Sequence, residues 1–256
     1  MAKLRPLALP LVLSLVALAI LIGLGKWQLD RRDWKLALIE RIESRAHGEA
    51  ISLTKAKSFW QADGDIEYYR VLLLGRFLNA EERYLYTIVE GEAGWRVITP
   101  FETRGGHVVL VDRGFVPEAL KNTSARQAGL IEAPVELTGL ARSSEAPSWF
   151  TPDNQPAANR WFWRDLPGLA ASLPAGLQQR TLPFMVEAEA MEVPGGWPRS
   201  GVTRLKLPNR HLEYALTWFG LAAALVAVFG IYARSRLREH RRAADDASIA
   251  RHSGSL

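Results

Sequence analysis

The chain has 256 residues, of which 48% are hydrophobic, a net charge of +5 and no cysteine. That is enough apolar material for a packed core in one or two domains. The missing cysteines exclude disulfides, iron–sulfur clusters, covalent c-type haem attachment and a thiol nucleophile. The basic excess gathers beside apolar runs, so membrane lipid headgroups account for it better than nucleic acid does.

No charge occurs from Pro6 to Gly25, a run about long enough to cross ~30 Å of hydrocarbon. Lys3, Arg5 and the triplet Ala17-Leu18-Ala19 also fit a cleaved signal peptide. The run continues through Ile20, Leu21, Ile22 and Leu24, past the ~15 residues of an ordinary signal core, and is read as an uncleaved span. Next, DRRDWKLALIERIES places Trp34, Leu38 and Ile42 on one helical stripe, which predicts an amphipathic helix packed on the domain that follows. The alternate acids Asp63, Asp65 and Glu67 lack the glycine and glutamate of a calcium loop and are read as a solvated turn.

YYRVLLLGRFL, RYLYTIVE, GWRVITPFE and HVVLVDRGFVP are separated by NAEE, GEAG and TRGG, links of hairpin length. They predict a four-stranded antiparallel meander. PVELTGLA and LPFMVEAEA are further strands, Glu187 and Glu189 lying opposite Phe184, Val186 and Ala188. A small barrel or curled sheet would close their edges. SSEAPSWFTPDNQPAAN reads as a loop. The following WFWRD fits either a core edge or an aromatic docking surface, and Asp165 is placed to cap a short helix over LPGLAASL.

A second uncharged run, Tyr214 to Ala233, precedes Arg234, Arg236, Arg238, Arg241 and Arg242. With Lys3 and Arg5 at the other end, these cations put both tails in the cytoplasm, although Arg204, Lys206 and Arg210 precede the second run. The expected organisation is a tail at 1–5, a span at 6–25, a β-rich extracytoplasmic domain at 26–209, a span at 210–233 and a basic tail at 234–256. The fold class is thus an α+β membrane protein: two transmembrane helices flank one β-rich domain.

Chemistry is sparse. No G-x-S-x-G, P-loop, dinucleotide fingerprint or H-E-x-x-H occurs, and His47, His107, His240 and His252 have no ligand partner at metal spacing. Without a convergent triad, a non-enzyme is expected. His211 is the exception. With Asn209 as cap it falls in the first turn of the second span, and Tyr214, Ala215 and Trp218 follow at helical spacing. A histidine there suits an axial ligand to haem iron, and from pattern alone it suits still better a helix end anchored among headgroups.

Three separated motifs resemble the Surfeit-locus family (Shy-type in yeast) of cytochrome c oxidase assembly factors. They are GKWQLDRRDWK, with Gly25, Trp27, Gln28, Arg31, Trp34 and Lys35; GWRVITPFETRGGHVVLVDRGFVP; and HLEYALTWFGLA. The sequence departs from the family pattern at Asp112, where Asn is usual, at Glu213, where Gln is usual, and at Arg210. The resemblance implies a factor that helps install haem a in the oxidase catalytic subunit, with His211 as ligand to the haem iron. Trp218, Phe219 and Tyr214 would then meet the macrocycle, and Arg31 or Arg210 its propionates. The partners implied are the catalytic subunit and a haem a synthesis enzyme. The alternative is a scaffold that binds the nascent subunit and never touches haem. The N-terminus has no amphipathic presequence pattern, so the bacterial inner membrane, with a periplasmic domain, is the expected location.

Overall fold

The computed structural model describes residues 5–201 and 209–253. Lys3, Arg204 and Lys206 lie outside these residues. The chain divides into two units, 1–40 with 206–256 and 41–205.

The first unit is helical. Helix α1 covers Arg5–Ala46, 42 residues. The stripe expected as a separate amphipathic helix is its direct continuation, because no glycine or proline falls between Lys26 and Ala46 and strong helix formers fill the stretch. At ~1.5 Å per residue the helix is about 63 Å long, roughly twice the hydrocarbon thickness. Along the stripe, Trp34 is 52% exposed while Ile42 is buried. The other long helix, which starts at His211 and ends at Ser253, has 43 residues. Each of the two contains a segment long and apolar enough to cross a membrane. Where they meet, small residues face inward: Ala215 and Ala222 are buried, and a Cβ on Gly25 would come within 2.6 Å of the Phe219 ring.

The second unit is built on a sheet. Strand β1 (Ile51–Ser52) leads into helix α2 (Leu53–Asp63), which Ser52 caps by accepting from the Lys55 backbone N–H. Then come β2 (Arg70–Phe77), β3 (Arg83–Val89), β4 (Glu92–Thr103), β5 (Val108–Pro117) and β6 (Val135–Arg142). Two short helices, α3 (Leu166–Ala171) and α4 (Ala175–Gln178), precede β7 (Thr181–Ala188). The long helix His211–Ser253 is α5.

The expected meander holds for β3, β4 and β5, which pair antiparallel in order. β2, however, does not pair with β3. β5 occupies one edge of the twelve-residue β4, so β3 and β2 share the other, β3 on Glu92–Ile98 and β2 on Phe101–Thr103. β2 then bonds β6, β6 bonds β7, and β7 bonds β5 in parallel. Five strands therefore close into a barrel, β2-β6-β7-β5-β4, that leaves none of the five with an open edge over its whole length.

Side-chain alternation fills the barrel with Val71, Leu73, Phe101, Val109, Phe184 and Val186. Outside, Ile98, Leu110 and Met185 are covered by Leu166, Leu169 and Trp161. β5 is buried on both faces, which is why its sequence reads as a nearly continuous apolar run. Asp165 caps α3 as expected, accepting from Gly168 N at 3.0 Å. Trp161 takes the core-edge role: it is fully buried and bridges to Leu85 of β3. The turn at residues 63–67 is not simply solvated. Asp65 holds Arg45 through two 2.7 Å contacts, and Glu67 accepts from Arg142 and from Ser143 N.

Candidate functional site

In the helical unit, α5 opens with His211. Asn209 Oδ1 accepts from the His211 backbone N–H at 3.4 Å, and the ring Nδ1 lies 2.7 Å from Oε1 of Gln28 on α1. With the Gln28 amide oxygen facing it, the contact is a hydrogen bond only if Nδ1 carries the proton, which in the neutral ring leaves Nε2 an in-plane lone pair. Nε2 has no hydrogen-bond partner among the described residues. The imidazole is thus fixed in orientation and tautomer by a neighbour, with its other nitrogen left available as a donor to a metal.

Of the other residues singled out in the sequence, Trp218 and Phe219 are half-buried, and Phe219 is turned onto Gly25. Tyr214 is 56% exposed. The Arg31 guanidinium lies over the Trp34 ring at 3.9 Å. Gln28 was visible only as a motif position, and nothing local in the sequence gives it a role. Among the described residues no three His, Asp or Glu side chains gather to hold a bare ion. One imidazole nitrogen can instead serve as an axial donor to iron already held by a macrocycle.

The barrel carries two charge clusters, both built on Val111-Asp112-Arg113-Gly114. The buried Asp112 accepts from Arg96, which also binds the buried Glu187. Arg142 joins Glu187 at 3.1 Å to Glu67 at 2.7 Å. Burial raises the Asp112 carboxyl above its ordinary range; Arg96 opposes this and Glu187 reinforces it. Arg113 points the other way. It lies over Phe77, donates to Asn79 Oδ1 at 3.1 Å and Gly129 O at 2.5 Å, and approaches Glu82 to 3.6 Å. Burial pushes this guanidinium down to about 10, so it stays charged at neutral pH. Glu82 is paired to the buried Arg126 and accepts from the Tyr84 hydroxyl, which burial and then the Glu82 charge push up to about 12. Gly114 has φ +107°, and a Cβ there would lie 1.9 Å from Arg199 O. The motif is therefore a structural device in which Asp, Arg and Gly each meet a different neighbour.

The family model described as SURF1 family matches residues 15–223. Surfeit locus protein 1 of Mus musculus is 36% identical over 218 residues, covering 79% of this chain and 68% of the relative. The chain belongs to the SURF1 family. Surfeit locus protein 1 of Homo sapiens is 37% identical over 219 residues, covering 79% of this chain and 70% of the relative. The SURF1-like protein of Rickettsia bellii is 31% identical over 227 residues, covering 86% and 89%. The SURF1 match runs from α1 to the first turns of α5, so it includes Gln28, the Asp112-Arg113-Gly114 motif and His211.

Proposed function

We propose that this SURF1-family chain is a membrane-anchored, non-enzymatic factor in cytochrome c oxidase assembly. It receives haem a as cargo and presents it for insertion into the catalytic subunit. The observation that carries this reading is the Gln28–His211 contact, which orients the imidazole at the start of an apolar helix with Nε2 unpartnered among the described residues. Bound there, the haem would supply the iron that this nitrogen ligates. Trp218 and Tyr214 would bear on the macrocycle's apolar faces, Phe219 would back them, and Arg31 and Arg210 would meet the propionates.

The proposed orientation has both termini in the cytoplasm and the barrel in the periplasm of a bacterial inner membrane. Arg234, Arg236, Arg238 and Arg242 after the second apolar run support it. The catalytic subunit, and a haem a synthesis enzyme upstream of it, are the partners proposed.

The test is purification from a host that makes haem a. A bound-haem absorption spectrum is expected, and His211→Ala should abolish or shift it. Wild-type protein that is well folded yet free of haem, or a spectrum indifferent to His211→Ala, would sink the ligand role in favour of a scaffold. Normal haem content of the oxidase in a deletion strain would remove the assembly role.

A further inference from the structure

Strand β3 is the last in the sheet order, and β4 covers one of its edges. Its hairpin to β4 closes with Val89 paired to Glu92 about a two-residue turn, Glu90-Gly91, both at positive φ. Pairing alternates along an antiparallel ladder, so Val89, Thr87 and Leu85 bond into β4 while the backbone groups of Ile88, Tyr86 and Tyr84 point away from it. Trp161 confirms this. Its N–H donates to Tyr84 O at 2.9 Å and its carbonyl accepts from Tyr86 N at 2.7 Å, one parallel bridge.

The chain then turns away, because Asn154 Oδ1 draws in the N–H groups of Phe162 and Trp163 at 2.8 and 3.3 Å. The Tyr86 carbonyl and both backbone groups of Ile88 are left without a backbone partner among the described residues. Sheet edges are usually blunted by charge, proline or cover. Here the edge positions carry Tyr86 and Ile88, 39% and 62% exposed.

Beside this edge is a cavity of about 280 Å³ lined by Tyr86, Thr87, Phe162, Trp163 and Arg164 among others. The Arg164 side chain is only 16% exposed. Its Nε donates to Ser143 O at 2.7 Å, but among the described residues its terminal nitrogens have only Glu145, at 3.9 Å. The other carboxylates of this wall are already matched, Asp112 and Glu187 by Arg96, and Glu187 also by Arg142. Burial, and after it the charge of Arg142, hold the Arg164 guanidinium below its usual range. This largely desolvated cation faces a cavity with only a long ion pair to the 58%-exposed Glu145 among the described residues, which leaves room for a closer anion.

We infer that the open edge of β3 takes an extended segment of a partner protein. The segment runs parallel to β3 in the place Trp163 vacates, and sets a carboxylate on Arg164. Its backbone would donate to the Tyr86 carbonyl and accept from Ile88 N–H, the β-augmentation mode of peptide recognition. The surface belongs wholly to the unit of residues 41–205 and does not depend on the haem reading.

The test uses the full chain in detergent micelles and a blocked, fluorescein-labelled peptide of alternating valine and threonine with one central glutamate, alongside its glutamine twin. Saturable binding of the glutamate peptide is expected by fluorescence polarisation, with the twin about tenfold weaker. Arg164→Gln should erase that difference. Ile88→Pro removes an N–H that faces outward, so circular dichroism and melting should report an intact fold while both peptides are lost. Amide exchange at Ile88 should slow on binding. Absence of saturable binding, equal affinity for the two peptides, or undiminished binding to folded Ile88→Pro each overturns the proposal. Light scattering that shows a dimer abolished by Ile88→Pro would assign the edge to a second copy of the chain and overturn the partner assignment.

Discussion

Gln28 Oε1 and His211 Nδ1 lie 2.7 Å apart although 183 positions separate them in the chain. The contact sets which imidazole nitrogen holds the proton, so its loss should be visible without any bound haem. In the apo protein, ¹⁵N NMR should report an Nδ1–H tautomer for His211, and Gln28→Ala should mix or invert the tautomers. Haem titration should then show affinity about tenfold weaker, the scale typical of a lost outer-shell partner. Gln28→Glu keeps the acceptor and should retain both properties. A Gln28→Ala protein with an unchanged tautomer would show that the contact does not control the ring.

The approach of α1 to α5 offers a second test. Because an added Cβ on Gly25 would meet Phe219 ring atoms at 2.6 and 2.7 Å, Gly25→Ala must displace that ring. A lower melting temperature in detergent is expected. Phe219→Leu removes the atoms in conflict, so in the double variant the cost of Gly25→Ala should shrink, a non-additivity of about 0.5–2 kcal/mol for residues in direct contact. Strict additivity would mean that the two residues do not meet.

Legibility in the sequence followed local pattern. The β3 to β5 meander, the α3 cap at Asp165 and the two apolar helices each rest on signals within a dozen or so residues, and each is found. Helix α2 had such signals in Ser52 and Gly64, but its charged and aromatic content hides the start and stop. A small barrel was among the expectations and is found, but the pairings that close it were not legible, since β2 meets β4 and β5 meets β7 through register that no hairpin dictates. Nor were the ion clusters. Glu82, Arg113, Arg126, Asp112 and Glu187 are buried, yet in the sequence they look like any solvated charge, because what pairs them is tertiary. For the site, His211 stood out by chemistry, whereas Gln28 acquires a role only when α1 is beside α5.

Gly114 should be intolerant of any side chain. Its φ of +107° lies where L-residues are strained, and the Arg199 carbonyl at 1.9 Å from the added Cβ is backbone that cannot swing aside. Gly114→Ala is expected to destabilise the protein by at least about 2 kcal/mol, read as a lower urea midpoint. A near-neutral effect would mean that residues 199–200 are free to move off β5.

Asp112→Asn should separate charge from hydrogen bonding at the barrel's ion cluster. The asparagine oxygen can still accept from Gly114 N–H, a contact of 2.8 Å with Asp112 Oδ1, and Arg96 keeps Glu187. What disappears is a buried negative charge whose carboxyl is raised by burial. A raised carboxyl binds its proton more tightly in the folded state than in the unfolded chain. Its contribution to stability therefore declines as pH rises from the unfolded value of ~3.9 to the higher folded one, and is level above that. Melting curves between about pH 4 and 8 should show this decline in the wild type and not in Asp112→Asn. The variant should match or exceed wild-type stability at neutral pH, the difference closing toward acid. A variant less stable than wild type at neutral pH by more than about 1 kcal/mol would show instead that attraction to Arg96 outweighs the burial of Asp112.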